Sequence, residues 1–215
     1  MARIKGEKKE KQSKDKFALI IFVEGETEKK FYEELIKFLV KKNENREICK
    51  YEIVNLRGIG KFESKMIPKF ENGISKKAVY KGYKFNVVCS YDKDVFIYQS
   101  NPAVDWDDKK KKFKKLKVKN IVLIEANKMI EDWFLIDYQG VCKYLNISTK
   151  YPKGNDANKK MESLFEQAGK VYIKGNDTGE FIPYLDMNKI YDNLKESFSE
   201  LENLLFNSGK DRVVL

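Results

Sequence analysis

ALIIFVEGETEKKFYEEL, residues Ala18 to Leu35, joins six consecutive apolar residues to a glutamate-rich turn and then to an amphipathic helical pattern. An apolar run too short to cross a membrane and too continuous for a solvated edge reads as a buried parallel strand. Glu24 stands where that strand ends, and Gly25 is expected to permit a sharp turn into the helix. In an open α/β sheet, ligands bind at the carboxyl ends of the strands. Whether other carboxylates return to that edge therefore decides what the chain can do.

Working outward, the 215 residues suffice for one good core with an appendage, and 42% hydrophobic with 13% aromatic residues indicates a folded chain. No apolar run approaches the roughly 18 residues of a membrane span. The opening MARIKGEKKEKQSKDK has charge but no apolar stretch behind it, so it is not a secretory signal, and a cytoplasmic location is the expectation. Cys49, Cys89 and Cys142 are far apart and show no zinc or disulfide spacing. The chain has no histidine, which excludes Ser-His and Cys-His nucleophiles, histidine bases and histidine-held zinc. A metal would need oxygen ligands, the preference of Mg²⁺ and Mn²⁺. The net charge of +10 reads two ways, as attraction to polyanions or as a bias towards lysine, since only four of 43 basic residues are arginine.

Residues 1–16 form a polar, lysine-rich leader expected to be disordered. The first strand, Phe17 to Val23, is followed by a helix over about Thr27 to Lys41 with Phe31, Leu35, Phe38 and Leu39 on one face. Glu26 and Glu28 fall in its first turn, where the helix dipole favours negative charge. A second strand at Tyr51 to Leu56 ends in Arg57-Gly58-Ile59-Gly60-Lys61, a phosphate-approaching loop or a plain turn. After a helix over Phe62 to Ile74, a third strand, Lys84 to Ser90, leads into Tyr91-Asp92-Lys93-Asp94. Asp105 to Lys119 carries eight lysines around Phe113 and Leu116, either the solvated face of an exposed helix or a phosphate-gripping surface. A fourth strand, Asn120 to Ile124, precedes a helix capped by Asn127, with Ile130, Trp133, Phe134, Val141, Tyr144 and Leu145 on its apolar side and Glu131 pointing elsewhere. Strands alternating with helices over residues 17–145 predict a doubly wound, mostly parallel α/β sheet flanked by helices. Residues 146–215 are expected to be a loop and helix extension packed on that domain, ending in a helix over Met187 to Phe206.

Asp92 and Asp94 lie two apart at a strand end, so both carboxylates face one way and Lys93 the other. If the first and third strands are parallel in one sheet, Glu24 meets them at the same edge across 68 positions of sequence. Clustered carboxylates repel one another unless a divalent cation neutralises them. A D-x-D alone is an ordinary turn sequence; its weight comes from Glu24-Gly25 in a lysine-rich α/β chain. Arg57, Lys61, Lys93, Lys110 and Lys114 are the cations expected to meet phosphate.

The order strand, Glu24-Gly25, helix, then strand, Asp92-Lys93-Asp94, resembles the Toprim domain of topoisomerases, primases and OLD-type nucleases. Val23-Glu24-Gly25-Glu26-Thr27-Glu28 with Phe31 is similar to the small stand-alone Toprim-like proteins, including the RloB-like group of bacterial defence loci. Ile130-Glu131-Asp132-Trp133 resembles the Glu-x-Trp element of those proteins, and Gly58-Ile59-Gly60 the glycine turn of OLD-type nucleases. The resemblance covers residues 17–145. It implies metal-dependent phosphodiester chemistry on DNA or RNA, tRNA included, plausible in an antiphage effector. Asp92 and Asp94 would ligate Mg²⁺ or Mn²⁺, and Glu24 would ligate or serve as general acid/base. Glu28 and Glu131 are candidates for a second ion; for Glu28, dipole complementation is an equal reading. No ATPase region precedes the Toprim-like part, and the chain has no room for a strand-passage apparatus or further primase domains. A compact nuclease remains, alone or as a homo-oligomer; the competing reading is a non-catalytic nucleic-acid-binding subunit beside a separate ATPase. A nucleotide-binding enzyme is disfavoured by the lack of a P-loop or a dinucleotide fingerprint.

Overall fold

The computed structural model describes residues 15–93, 104–126, 128–148, 151–174 and 179–206. The stretch that opened the reading is a strand, β1 (Lys16–Val23), whose last six residues have no exposed surface. A strand buried on both faces must pair on both edges. β1 does so, lying between β2 (Lys50–Asn55) and β3 (Tyr83–Asp92), while β4 (Val118–Ala126) closes the far side in the order β2-β1-β3-β4. All three pairings are parallel, with Phe22 opposite Cys89 and Val23 opposite Asn55. The protein is thus an α/β protein built on a four-stranded parallel sheet flanked by helices.

Alternation along β1 sorts its side chains into two cores. Leu19, Ile21 and Val23 face α1 (Glu26–Lys42), whereas Ala18, Ile20 and Phe22 face α2 (Gly60–Asn72) and α3 (Trp106–Lys115). In β3, Val88 belongs to the first core and Val87 and Cys89 to the second. Ser90 and Asp92, two and four residues beyond Val88, continue the first side. The chain leaves β1 towards β2 on one flank and then crosses to β3 on the other. The topological switch point lies between β1 and β3, where an open α/β sheet forms its crevice.

The first core is closed by the C-terminal part of the chain. The helix expected from Met129 to Leu145 is three pieces: α4 (Ile130–Phe134), a 3₁₀ turn (Leu135–Asp137) and α5 (Tyr138–Leu145). The buried Asp137 carboxylate marks the break, accepting from Asp186 N at 2.9 Å and pairing with Lys189. Met129 precedes the helix, and the expected cap, Asn127, lies outside the described residues. α6 (Ala157–Gln167), α7 (Met187–Asn193) and α8 (Lys195–Leu205) add Met161, Phe165, Ile190, Phe198 and Leu201 to the same cluster as β1 and α1. The single terminal helix read from the sequence is therefore two, bent at Leu194, so that Ile190 and Phe198 both reach the interior. The leader call falls largely on residues outside those described.

Phe31 sits at the junction of these layers, its ring 5.8 Å from Trp133, 5.7 Å from Phe134 and 6.2 Å from Phe198. Trp133 is accordingly a packing residue, 3% exposed. Truncating a buried phenylalanine removes its transfer free energy and leaves a cavity. Phe31→Ala is expected to lose about 3–5 kcal/mol in urea unfolding, whereas Tyr184→Ala, at a half-exposed ring, stays within about 0.5 kcal/mol.

Candidate functional site

Parallel pairing of β1 and β3 brings Glu24 to Asp92. Glu24 Oε1 accepts from the backbone N–H of Asp92 at 2.8 Å, just past the end of β1. Asp92 is 4% exposed, and its Oδ1 accepts from Ile130 N at 2.8 Å, which ties β3 to the start of α4. Asp92 Oδ2 lies 2.9 Å from Lys174 Nζ, and the same ammonium is 3.9 Å from Glu131 Oε2. Glu131 is 1% exposed, and its Oε1 accepts from Tyr172 OH at 2.8 Å. Its position off the apolar stripe of α4 thus carries it inward to the sheet edge.

Glu28 belongs to the same group. It is only 9% exposed, and its Oε2 has no hydrogen-bond partner. The carboxylate folds back over Gly25, where an added Cβ would lie 2.6 Å from Glu28 Oε2. Gly25 itself is extended, at φ −139° and ψ −179°, a conformation open to any residue. Its glycine is needed for room, not for the sharp turn expected from the sequence. One turn further along α1, Tyr32 OH donates to Ser90 Oγ at 2.8 Å. That bond pins the buried face of α1 onto β3 two residues before Asp92.

Removal from water, with Asp92 and Glu28 adding their negative charge, pushes the Glu24 carboxyl up to about 8 despite the Asp92 N–H. Burial followed by the charge of Asp92 raises Glu28 to about 7. Burial is the main cause for both, so at neutral pH Glu24 favours the proton while Glu28 stands near its midpoint. Glu26 is different: it is exposed and accepts from Asn55 Nδ2 at 2.8 Å.

Asp94 lies outside the described residues. Arg57 and Lys61 are exposed around the turn into α2, beside Glu24, whose carbonyl accepts from Gly58 N at 2.8 Å. Lys93 is exposed and 3.5 Å from Glu125 Oε2. Lys110 is half-buried on α3, and Lys114 is in its last turn. Since α3 runs back from the end of β3 to the start of β4, Lys114 sits towards the opposite edge of the sheet. Tyr91 is 8% exposed and stacked on Trp106 at 4.8 Å, which removes it as a ready platform for a base. Sequence reasoning missed Tyr172 and Lys174. Val171-Tyr172-Ile173-Lys174 alternates, but its apolar members Val171 and Ile173 are the exposed ones, so the sequence carried no signal for Tyr172 and Lys174.

Among the described residues, no three acidic or cysteine side chains are gathered as a ready ion-holding group. The chemistry of the donor set nevertheless fits a hard divalent cation: every nearby donor is a carboxylate oxygen, and one buried oxygen of Glu28 is unsatisfied. No family model, curated protein or solved structure matches the chain.

Two outcomes test this geometry. Gly25→Ala must push aside the end of the flexible Glu28 side chain, so its loss is expected to stay below about 1 kcal/mol and to disappear in a Glu28→Ala background, a coupling that a double-mutant cycle measures. A carboxyl raised in the folded state binds more protons there than when unfolded, so its stabilisation is complete below its unfolded value near 4.5 and is lost as pH climbs towards about 8. In chelator, the melting temperature should therefore fall between pH 5 and 8, and Glu24→Gln should flatten that decline.

Proposed function

We propose that the chain is a cytoplasmic, Mg²⁺- or Mn²⁺-dependent nuclease of the Toprim-like kind, hydrolysing phosphodiester bonds in DNA or RNA. The observation that carries this reading is the meeting of Glu24 and Asp92 at the switch point of a parallel sheet, with Glu28 and Glu131 buried beside them. The likeness of Val23-Glu24-Gly25 and Asp92-Lys93-Asp94 to Toprim sequences supports it, and the likeness to RloB-like proteins supports a role in antiphage defence.

Asp92 and Glu28 would hold the cation, with Asp94 and Glu131 as further ligands and Glu24 either a ligand or the general acid/base. When bound, it supplies Lewis-acid neutralisation of the charge that gathers on a phosphodiester during displacement. Without an ion, burial raises the Glu24 carboxyl to about 8; as a ligand it would give up that proton, and only where it stays off the ion would it deliver one to a leaving oxygen. Asp92 is fixed for its task by the Ile130 N–H, and Glu131 by the Tyr172 hydroxyl. The Lys174 ammonium holds Asp92 and Glu131 in place of a second positive ion.

The test is cleavage of labelled single-stranded DNA, duplex DNA and tRNA in Mn²⁺ and in chelator. Asp92→Asn and Glu24→Gln are each expected to cut at least about 100-fold more slowly, exceeding the roughly 10–100-fold loss typical of residues that merely support a metal ligand. Undiminished cleavage by either folded variant would sink the reading. Lys174, already seated between Asp92 and Glu131, favours a second reading: a non-catalytic nucleic-acid-binding subunit working with a separate ATPase. Salt-sensitive binding without cleavage or any response to Mn²⁺ would select that alternative.

A further inference from the structure

Among the described strands, β2 pairs only with β1, so its other edge is open. α1 covers one face of the sheet beside that edge and α2 the other. A groove follows the edge between the two helices, and its cationic lining is Lys29 from α1, Arg57 from the turn, and Lys65 and Lys69 from α2. Two acids share the lining, but both are engaged. Glu52 is held by Lys77 at 2.6 Å and by Tyr80, and Glu26 accepts from Asn55. Lys69 Nζ donates to the Asn55 carbonyl at 3.2 Å, leaving its charge uncompensated, and no described carboxylate pairs with Lys29, Arg57 or Lys65.

The arrangement is directional. Lys61, Lys65 and Lys69 recur every fourth residue and so stand about 6 Å apart along the axis of α2, a repeat of point charges suited to successive phosphates. Arg57 marks the end nearest the carboxylates. It holds φ at +65°, an uncommon conformation for a residue with a side chain, fastened by its N–H on Asn55 Oδ1 at 2.7 Å. The next residue, Gly58, donates to the Glu24 carbonyl. Ile53, Val54 and Leu56 also line the groove, but Val54 and Leu56 are almost wholly buried, so what it offers a ligand is mainly charge; the apolar part of the β2 edge, around Ile48, Tyr51 and Val79, lies at the other end of the strand.

We propose that this groove binds the sugar–phosphate backbone of one nucleic-acid strand and leads it along β2 to the Glu24–Asp92 edge. The direction of the strand rests on the nuclease reading; the binding itself does not. The test is fluorescence anisotropy of a labelled 20-nucleotide (~20) single strand with full-length protein in chelator, across a range of KCl concentrations. Replacing Lys29, Arg57, Lys65 and Lys69 together by alanine should weaken binding at least tenfold (~10) and lower the slope of log K against log salt by about 0.7 per lost contact, about 3 in all. Replacing the exposed Lys41, Lys143, Lys153 and Lys195, which removes the same charge elsewhere, should leave the slope nearly unchanged. Arginine at positions 29, 65 and 69 should restore it, which separates lost contact from lost folding. Equal slopes for the two alanine sets, or an acidic peptide competing as well as the oligonucleotide, overturn the proposal. Groove-dependent binding without Mn²⁺-dependent cleavage removes the nuclease and leaves the groove. Cleavage with a slope indifferent to the groove does the reverse.

Discussion

Four carboxylates, those of Glu24, Glu28, Asp92 and Glu131, are held at one end of a parallel sheet, where the ammonium of Lys174 makes ion pairs to two of them. Taking like charges out of water together is unfavourable, and the chain meets that cost in three ways. Backbone N–H groups are directed at Glu24 and Asp92, a tyrosine hydroxyl at Glu131, and burial raises the carboxyls of Glu24 and Glu28 so that each gives up its proton less readily. The elements around the site are fixed by these bonds. β1 must neighbour β3 for Glu24 to reach the Asp92 N–H, and α4 must begin where Ile130 can cap Asp92. The C-terminal part must return across the first core for Tyr172 and Lys174 to arrive.

That requirement explains the unequal treatment of the two faces of the sheet. The face bearing α2 and α3 is an ordinary apolar packing of Phe22, Phe62, Phe70 and Phe113, and the buried Lys109 bonds to Glu63. The face bearing α1 carries the polar burden, with Thr27, Glu28, Ser90, Asp92 and Glu131 all below a tenth exposed. It is also the face that receives the added helices. Phe31, Trp133, Phe134 and Phe198 form the aromatic floor beneath the carboxylates. Their packing supplies the rigidity that keeps mutually repelling groups from moving apart.

The parallel sheet was legible because its signals are local: continuous apolar strands, helical periodicity between them, and glycine-bearing turns after them. Glu24 and Asp92 were legible as a pair because strand ends in such a sheet share an edge. Other features depended on contacts that no local pattern encodes. Glu28 lies in the first turn of α1, where either helix-dipole complementation or inward burial suits a glutamate, and only the packing of α1 on β3 separates the two. Gly25 looked like a turn glycine, yet its φ is unremarkable and its role is steric. Tyr172 and Lys174 come from 41 or more residues beyond Glu131 in a segment of weak periodicity. The break at Asp137 arises from tertiary capture by Asp186 and Lys189, and the one at Leu194 has no proline or glycine beside it, so helical periodicity runs through both.

The arrangement also separates two electrostatic demands that a single patch of charge cannot meet. A cluster of carboxylates repels a phosphodiester, so the site by itself is a poor place for a polyanion to land. The cations of Lys29, Arg57, Lys65 and Lys69 stand along β2, beside that edge but outside the cluster, and are not consumed in neutralising it. On the proposed reading, the groove supplies attraction whether or not a divalent ion is present, and the ion reverses the sign of the field only where the bond is to be broken. On the same reading, moving those cations into the carboxylate cluster would neutralise Glu24 and Glu28 and remove the local negative charge that would attract an ion. On that reading a basic chain with an acidic centre is consistent: the net charge would gather the substrate, and the local deficit would reserve a place for the metal.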